Sequence, residues 1–319
     1  MNVRRPDAGD LDAVLELMRA ADIAVAGDSD WTASELVETW ADLDLARDAW
    51  VLELDGRVVG YADFSTRGGR LNADGYVQPE LRGRGIGSEI VRLTEERAKE
   101  EESNVPAGER VYLQNATLNQ DELTVSFYRE RGYEAVRGFR GMVIELEEAP
   151  VPAAVPGIEI RPYRHPDEAR TYHAAHQESF AGHWEHRPTP WQEWEKKWFG
   201  RETFDPTLWW VAADGEEIAG LVFGEQRRDP DQGWVDVLGV RPAYRRRGIA
   251  EALLTTAFAE FFRRGERKVG LGVDAESPTG ATRVYERAGM RTLWHAIVYE
   301  KELRAAREPT REDARELRT

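Results

Sequence analysis

VRPAYRRRGIAEALL, residues Val240 to Leu254, and VQPELRGRGIGSEIV, residues Val77 to Val91, are two versions of one design. Each runs from an apolar segment through an arginine- and glycine-rich turn into an amphipathic segment. A strand, then Arg-x-x-Gly-x-Gly/Ala, then a helix leaves several backbone N–H groups unpaired at a helix N-terminus, where the helix dipole also favours anions. In form this is a pyrophosphate cradle. No Lys-Ser/Thr follows the glycines as in a Walker loop, and RRRGIAEA has a single glycine, which excludes the dinucleotide fingerprint in that copy. Taken singly, each turn has a bland alternative, a glycine that lets a helix pack tightly on a strand while its arginines sit in solvent. Recurrence in the same context argues against it.

The repetition extends outward from the turns. Near the start, VRRPDAGDLDAVLELM places an arginine-proline pair between a short strand and a helix, and IEIRPYRHPDEARTYHAAH does the same from Ile158. WVLELDGRVVGYADF (Trp50–Phe64) and WWVAADGEEIAGLVFGE (Trp209–Glu225) both read strand, Asp-Gly turn, strand. Each copy finishes with a strand, a helix carrying FYRERGYE or VYERAGMR, and a last strand, GMVIELE or HAIVYEKEL. Arg82 and Arg245 are 163 residues apart but Tyr128 and Tyr285 only 157, which places a short loop insertion in KEEESNVPAGER of the first copy. The proline-rich EEAPVPAAVPG reads as a semi-rigid extended linker. The expected organisation is a domain over 1–148, a linker over 149–157, a second domain over 158–303 and a charged tail, frayed or disordered, over 304–319.

Composition bounds the function. The chain has 319 residues, 41% of them hydrophobic, enough for two cores. A formal charge of -16 leaves no basic surface for a nucleic acid backbone. There is no cysteine, hence neither a disulfide framework nor a thiolate nucleophile. No apolar run approaches the length of a membrane helix. The reading is a cytoplasmic protein, monomeric or homodimeric, without nucleic acid or membrane partners.

The paired turns, together with a later tyrosine ahead of a glycine-aromatic or glycine-methionine pair, resemble the GNAT superfamily of acyl-CoA N-acyltransferases, in tandem, over nearly all of Val3 to Leu303. The resemblance implies an α/β fold with two mixed sheets flanked by helices and acetyl-CoA as cosubstrate. It places the pyrophosphate on the amides of Arg82, Gly83, Arg84, Gly85, Ile86 and Gly87 after Val77, and of Arg245, Arg246, Arg247, Gly248, Ile249 and Ala250 in the second copy. The pantetheine would run along a splayed central strand, NADGYV in the first copy and GWVDVLGV in the second. SFAGHWEHRP, then WFGRETFDPTLWW and WVDVLGVRPAYRRRGIA, make the C-terminal half resemble, in order, the mycothiol synthases, tandem acetyltransferases acting on an amino-sugar conjugate of cysteine. Where that group has a glutamate on the central strand, this chain has Trp234.

Acyl transfer from a thioester to an amine needs a deprotonated amine, donors for the oxyanion and a proton for the departing thiolate. The resemblance implies backbone N–H groups near Leu238 and Val240 as oxyanion donors and Tyr285 as the acid, with Tyr128 its counterpart; the bland alternative is a core tyrosine with its hydroxyl at the rim. Asp236, two positions beyond Trp234 and so on the same strand face, is the candidate base, with Glu225, Asp274 and Glu276 as rivals. Trp184, Trp191, Trp194, Trp198, Trp209 and Trp210 either pack the core or line an acceptor pocket. His173, His176, His183 and His186 read as polar pocket or solvated residues, and no metal site is expected. The first copy's central strand, LNADGYVQP, looks degraded, so catalysis is expected in the second domain on a small-molecule primary amine. A non-catalytic acyl-CoA-binding regulator is the reading from a different class.

Overall fold

The computed structural model describes residues 1–67, 70–228, 231–277 and 279–307, and divides the chain into two compact units. The first holds Met1–Gly138 and the chain from His295 on, the second Phe139–Trp294. These divisions do not coincide with the repeat boundary in the sequence. The proline-rich segment marks where the repeats meet, but the last strand of each sheet is drawn from the other repeat. Residues 308–319 of the charged tail lie outside the described residues.

In the first unit the order is β1 (Asn2–Arg4), α1 (Leu11–Ala26), α2 (Ala33–Ala41), α3 (Leu45–Asp48), β2 (Ala49–Leu54), β3 (Arg57–Arg67), β4 (Arg70–Val77), α4 (Ile86–Glu102), β5 (Val111–Leu118) and α5 (Glu122–Glu130). β6 (Glu134–Glu145) then leads into the second unit: β7 (Glu159–Pro162), α6 (Ala169–Phe180), α7 (Trp191–Phe199), β8 (Trp209–Asp214), β9 (Glu217–Arg228), β10 (Asp231–Val240), α8 (Ile249–Arg263), β11 (Lys268–Asp274) and α9 (Ala281–Arg287). β12 (Arg291–Arg304) returns to the first.

Each unit is a mixed sheet with the same pairing. β1 to β4 are successively antiparallel, β4 and β5 are parallel, and Ala296–Arg304 closes the sheet antiparallel to β5. β7 to β10 repeat the antiparallel run, β10 and β11 are parallel, and Phe139–Glu145 pairs antiparallel to β11. The two hairpins turn at the Asp-Gly pairs: Asp55 and Gly56 both take positive φ, the primed geometry that suits strand twist, and Gly215 does so in the second.

Helices cover both faces of each sheet. In the first unit Ile86 and Ile90 of α4 lie over Gly60 and Gly75, where a Cβ would come within 2.9 and 2.7 Å of their methyls. The glycine of LNADGYVQP is therefore the seat of a helix. β4 itself pairs with β3 in unbroken register from Val77 to Arg70, so its small and polar residues have not made it irregular. The opposite face packs Tyr61 with Val14, Leu17, Met18, Leu36 and Trp40 of α1 and α2. In the second unit α8 seats Phe261 on Gly233, and α6 docks on the other face, its Tyr172 hydroxyl donating to the Val222 carbonyl at 2.9 Å.

A Cβ at Gly233 would meet the ring of Phe261, a fully buried residue, at 2.7 Å. Gly233→Ala is expected to lower stability by about 1–3 kcal/mol in a denaturation titration, the cost of overpacking a filled core. Gly272→Ala, on β11 where a Cβ meets nothing within 4 Å, should change it by less than about 0.5 kcal/mol.

Candidate acetyl-transfer site

The two arginine-glycine turns share one backbone course. A single 3-10 turn, Pro79–Leu81 or Pro242–Tyr244, follows the strand. Then come two positive-φ positions, Gly83 (77°) and Gly85 (89°) in one, Arg246 (63°) and Gly248 (83°) in the other. Gly85 and Gly248 are the helix N-caps and neither end carries a side-chain cap, so the first amides of α4 and α8 are left for an external acceptor. A Cβ added at either glycine would point into open space with nothing within 4 Å. The donors and the room fit a pyrophosphate.

The strand before each turn parts from its parallel neighbour. β10 pairs with β11 only from Gly233↔Val269 to Val235↔Leu271, and β4 with β5 only from Arg70↔Tyr112 to Asn72↔Gln114. The ladder on the other edge fixes where the freed amides point. Arg241 N–H donates to the Ala219 carbonyl at 3.0 Å, and antiparallel alternation then directs the N–H groups of Leu238 and Val240 away from β9, into the gap left by β11. Gln78 N–H donates to the Val59 carbonyl at 2.9 Å, which by the same alternation directs Gly75 and Val77 into the first gap.

β10 also carries a register shift between Val235 and Val237 against β9. Gly233 before it faces Phe261 of α8, whereas Gly239 after it faces Ser179 and Phe180 of α6, as one inserted residue requires. Asp236 is that residue. It accepts from Arg201 Nη1 at 3.3 Å; the same nitrogen lies 3.7 Å from Glu225, which further accepts from Thr203 Oγ1 and Arg227 Nε. Arg201 thus joins Asp236 and Glu225 on one face, beside the Trp198 ring over which its guanidinium sits at 4.5 Å. Trp234 is covered by the Arg227 guanidinium at 3.8 Å.

Tyr285, on α9 behind β11, is buried, and no described residue bonds its hydroxyl; burial pushes its pKa up to about 12. Tyr128 on α5 is equally enclosed, packed on Phe127, Tyr133 and Tyr299, with its hydroxyl 3.5 Å from Asn115 Oδ1.

Residues 165–290 match the acetyltransferase (GNAT) family, and residues 46–135 match an acetyltransferase (GNAT) domain. The crystal structure of a GCN5-related N-acetyltransferase from Sphaerobacter thermophilus superposes with a TM-score of 0.85 at 33% identity, over 97% of each chain. The chain belongs to the GNAT family of acetyltransferases. A mycothiol acetyltransferase of Geodermatophilus obscurus is 28% identical over 90% of this chain and 93% of its own. A tandem GNAT protein from the clavulanic acid biosynthesis pathway shares the fold, with a TM-score of 0.73 at 16% identity over 96% of this chain and 99% of its own. As a GNAT enzyme this chain transfers an acetyl group from acetyl-CoA to an amine. Among the described residues, no helix is long and apolar enough to cross a membrane.

The side chains of several residues singled out in the sequence have defined places in this GNAT fold. Arg82 spans from the turn to Asp121 and Thr124 at the start of α5, tying the arginine-glycine turn to the Tyr128 helix. Arg245 donates to the carbonyls of Val240 and Ser179, tying its turn to α6. Ile86 and Ile249 bury their side chains, so each offers only its amide; Arg84, Arg246 and Arg247 are exposed around the cradle. Trp194, Trp198 and Trp209 are core residues, Trp209 stacked on Phe223 at 4.1 Å. His176 accepts from Trp194 Nε1 at 2.8 Å, and burial pulls its pKa down to about 3, which keeps it neutral. Asp274 caps the turn after β11 by accepting from the Glu276 amide. Arg201 and Thr203 were not visible as site residues, because only the fold brings them to β10.

Two intact cradles predict two coenzyme A sites per chain by calorimetry. Gly248→Asp should remove one and Gly85→Asp the other, each by setting a carboxylate against the phosphates. One site surviving Gly248→Asp unchanged would mean that the second turn holds no nucleotide.

Proposed function

We propose that the second unit is the site of transfer to a small-molecule primary amine, with Asp236 as base and Tyr285 as acid. The observation that carries this reading is the bulge at Asp236 beside the parting of β10 and β11. It sets a carboxylate and two free amides on one short stretch. Acetyl-CoA supplies the thioester carbon that the amine attacks. Asp236, held by Arg201, takes the ammonium proton, directly or through water. The amides of Leu238 and Val240 receive the oxyanion, and the Tyr285 hydroxyl delivers a proton to the thiolate. The turn from Arg245 to Ala250 holds the pyrophosphate by backbone.

The mycothiol acetyltransferase relatives favour an amino-sugar conjugate of cysteine as acceptor. Trp234, under the Arg227 guanidinium, stands where the glutamate of that group belongs, which favours a different small amine. Acetyl-CoA is a polyanion that does not cross membranes unaided, which supports the cytoplasm as the working compartment; the chain acts there as a monomer or homodimer.

Tyr285→Phe removes a donor needed chiefly in the transition state, so kcat should fall roughly 10- to 10⁴-fold with acetyl-CoA affinity little changed. Full activity in this variant would remove Tyr285 from the mechanism. Asp236→Asn should slow turnover most at acidic to neutral pH and recover in part as the amine deprotonates unaided. Because burial holds the Tyr285 phenol protonated up to about pH 12, the pH–rate profile should rise to a plateau with no alkaline limb below about pH 10.

A further inference from the structure

β11 is paired on both edges, with β10 and with β6, and a strand so placed is ordinarily covered on both faces. Gly272 is nevertheless exposed there, between buried Leu271 and Val273. The opening is on the α6 face of the sheet. Gly233 of β10 faces Phe261 of α8, so Trp234 turns to the α6 face, and its indole occupies the place a Cβ on Gly270 would take. Gly272, two residues on, shares that face with Gly270, and so does Gly141, its partner across the ladder on β6. The Trp294 indole lies on Gly141 and likewise leaves no room for a Cβ. One further step along the same face, Asp274 stands opposite Phe139, whose ring is 6.0 Å from that of Trp184. Over Gly272 itself a Cβ meets nothing within 4 Å. The backbone of Gly272 is thus the floor of a slot with Trp234 before it, Phe139 and Trp184 after it and Trp294 along one side.

The remaining side is the parting of β10 and β11. Their last pair is Val235↔Leu271, and Asp236 comes next, held by Arg201, which also reaches Glu225, the β9 partner of Trp234. Leu146 N–H donates to the Arg267 carbonyl at 2.7 Å, and antiparallel alternation along β6 and β11 then turns the Gly272 carbonyl away from β6, toward the parting. An ammonium at the parting therefore meets a carboxylate from one strand and a carbonyl from the other. Rings form three sides of the slot and the hydrogen-bond acceptors form the fourth. The charged end of an acceptor belongs at the parting and its uncharged body among the rings.

We propose that this slot selects the acceptor of the second unit, a primary amine joined by one or two carbons to a flat aromatic ring, with Gly272 as the residue that admits the ring. The inference rests on the assignment of transfer to the second unit. Same-face residues are about 6.6 Å apart along a strand and facing ones about 4.5–5.5 Å apart across it, a spacing that admits one ring between the flanking aromatics. There it finds offset or edge-to-face partners in Trp234, Trp294 and Phe139. Neighbouring strands are about 4.8 Å apart, so one or two carbons carry the amine from above Gly272 to Asp236. A glutamate in place of Trp234, as in the mycothiol synthases, would set a charge at the end of the slot where this chain sets a ring. A side chain at position 272 would take the place of the acceptor's ring without colliding with the protein.

The test uses the full chain with acetyl-CoA and reads thiol release with 2-phenylethylamine and ethylamine as probes. The parent should use 2-phenylethylamine with a kcat/KM at least about tenfold that for ethylamine, since burying a phenyl ring is worth that much or more. In Gly272→Val this preference should fall at least about tenfold, through the KM for 2-phenylethylamine, while the KM for acetyl-CoA stays within about twofold. A β-branched residue suits an exposed strand position, so the variant should melt within about 2 °C of the parent. Gly272→Ala should shift the preference in the same direction by less. 2-Cyclohexylethylamine, as long but thicker, should be at least about threefold poorer than 2-phenylethylamine. Tyr285→Phe, run on the same amines, separates this inference from the transfer assignment. If it slows both amines but Gly272→Val leaves the preference unchanged, the slot fails and the second-unit site stands. If neither variant changes turnover, transfer lies elsewhere and both fall. Lack of 2-phenylethylamine acetylation, equal use of the cyclohexyl analogue, or equal losses for both amines in Gly272→Val would also overturn the proposal.

Discussion

Two parallel strands that pair for three residues and then separate set the terms for everything else in this chain. Had β10 stayed on β11 beyond Val235↔Leu271, the amides of Leu238 and Val240 would be spent in a ladder. Because β9 holds the other edge of β10 to its end, the strand stays extended while one row of donors faces the gap. The turn that follows adds the uncapped N-terminus of α8. One strand-turn-helix thus offers two groups of backbone donors, which the proposed mechanism assigns to an oxyanion and to a pyrophosphate. Side chains are needed chiefly to hold the backbone in place. That is why Arg246 can replace a glycine at positive φ, and why Arg82 and Arg245 are committed to structural ties.

The units share this backbone but not its furnishing. In the second, the bulge sends Asp236 toward Arg201 and Glu225, and the aromatic rings of α6 and α7 are largely consumed by packing around Trp194 and Trp209. In the first, β4 runs without a register shift among the described residues, and the acids face one another across the ladder at Asp63 and Asp74. Burial and the facing Asp74 push the Asp63 carboxyl up to about 8.

The features readable from sequence were those written in local chemistry. Arg-x-x-Gly turns, Asp-Gly hairpins and the Arg-Pro starts each dictate backbone within a few residues, and their repetition located both sheets. The exchange of last strands was hidden, because β6 and β12 read like ordinary closing strands and the prolines between the repeats suggested a boundary that the compact units do not follow. The division of tryptophans between core and pocket was equally hidden, since burial is decided by what α6 and α7 meet across the sheet. The polar texture of LNADGYVQP suggested decay. Its two structural facts, a glycine under Ile90 and an aspartate opposite Asp63, become visible only once α4 and β3 are alongside.

The central claim is that backbone amides, at the parted strands and at the helix start, hold acetyl-CoA. Hydrogen–deuterium exchange with and without coenzyme A measures those amides directly. Protection should rise in peptides spanning residues 236–252 and 73–89, with the amides of Gly248, Ile249 and Ala250 among the most affected. Saturating coenzyme A that leaves both stretches exchanging at their free rates, or protects chiefly residues elsewhere in the chain, would contradict the account.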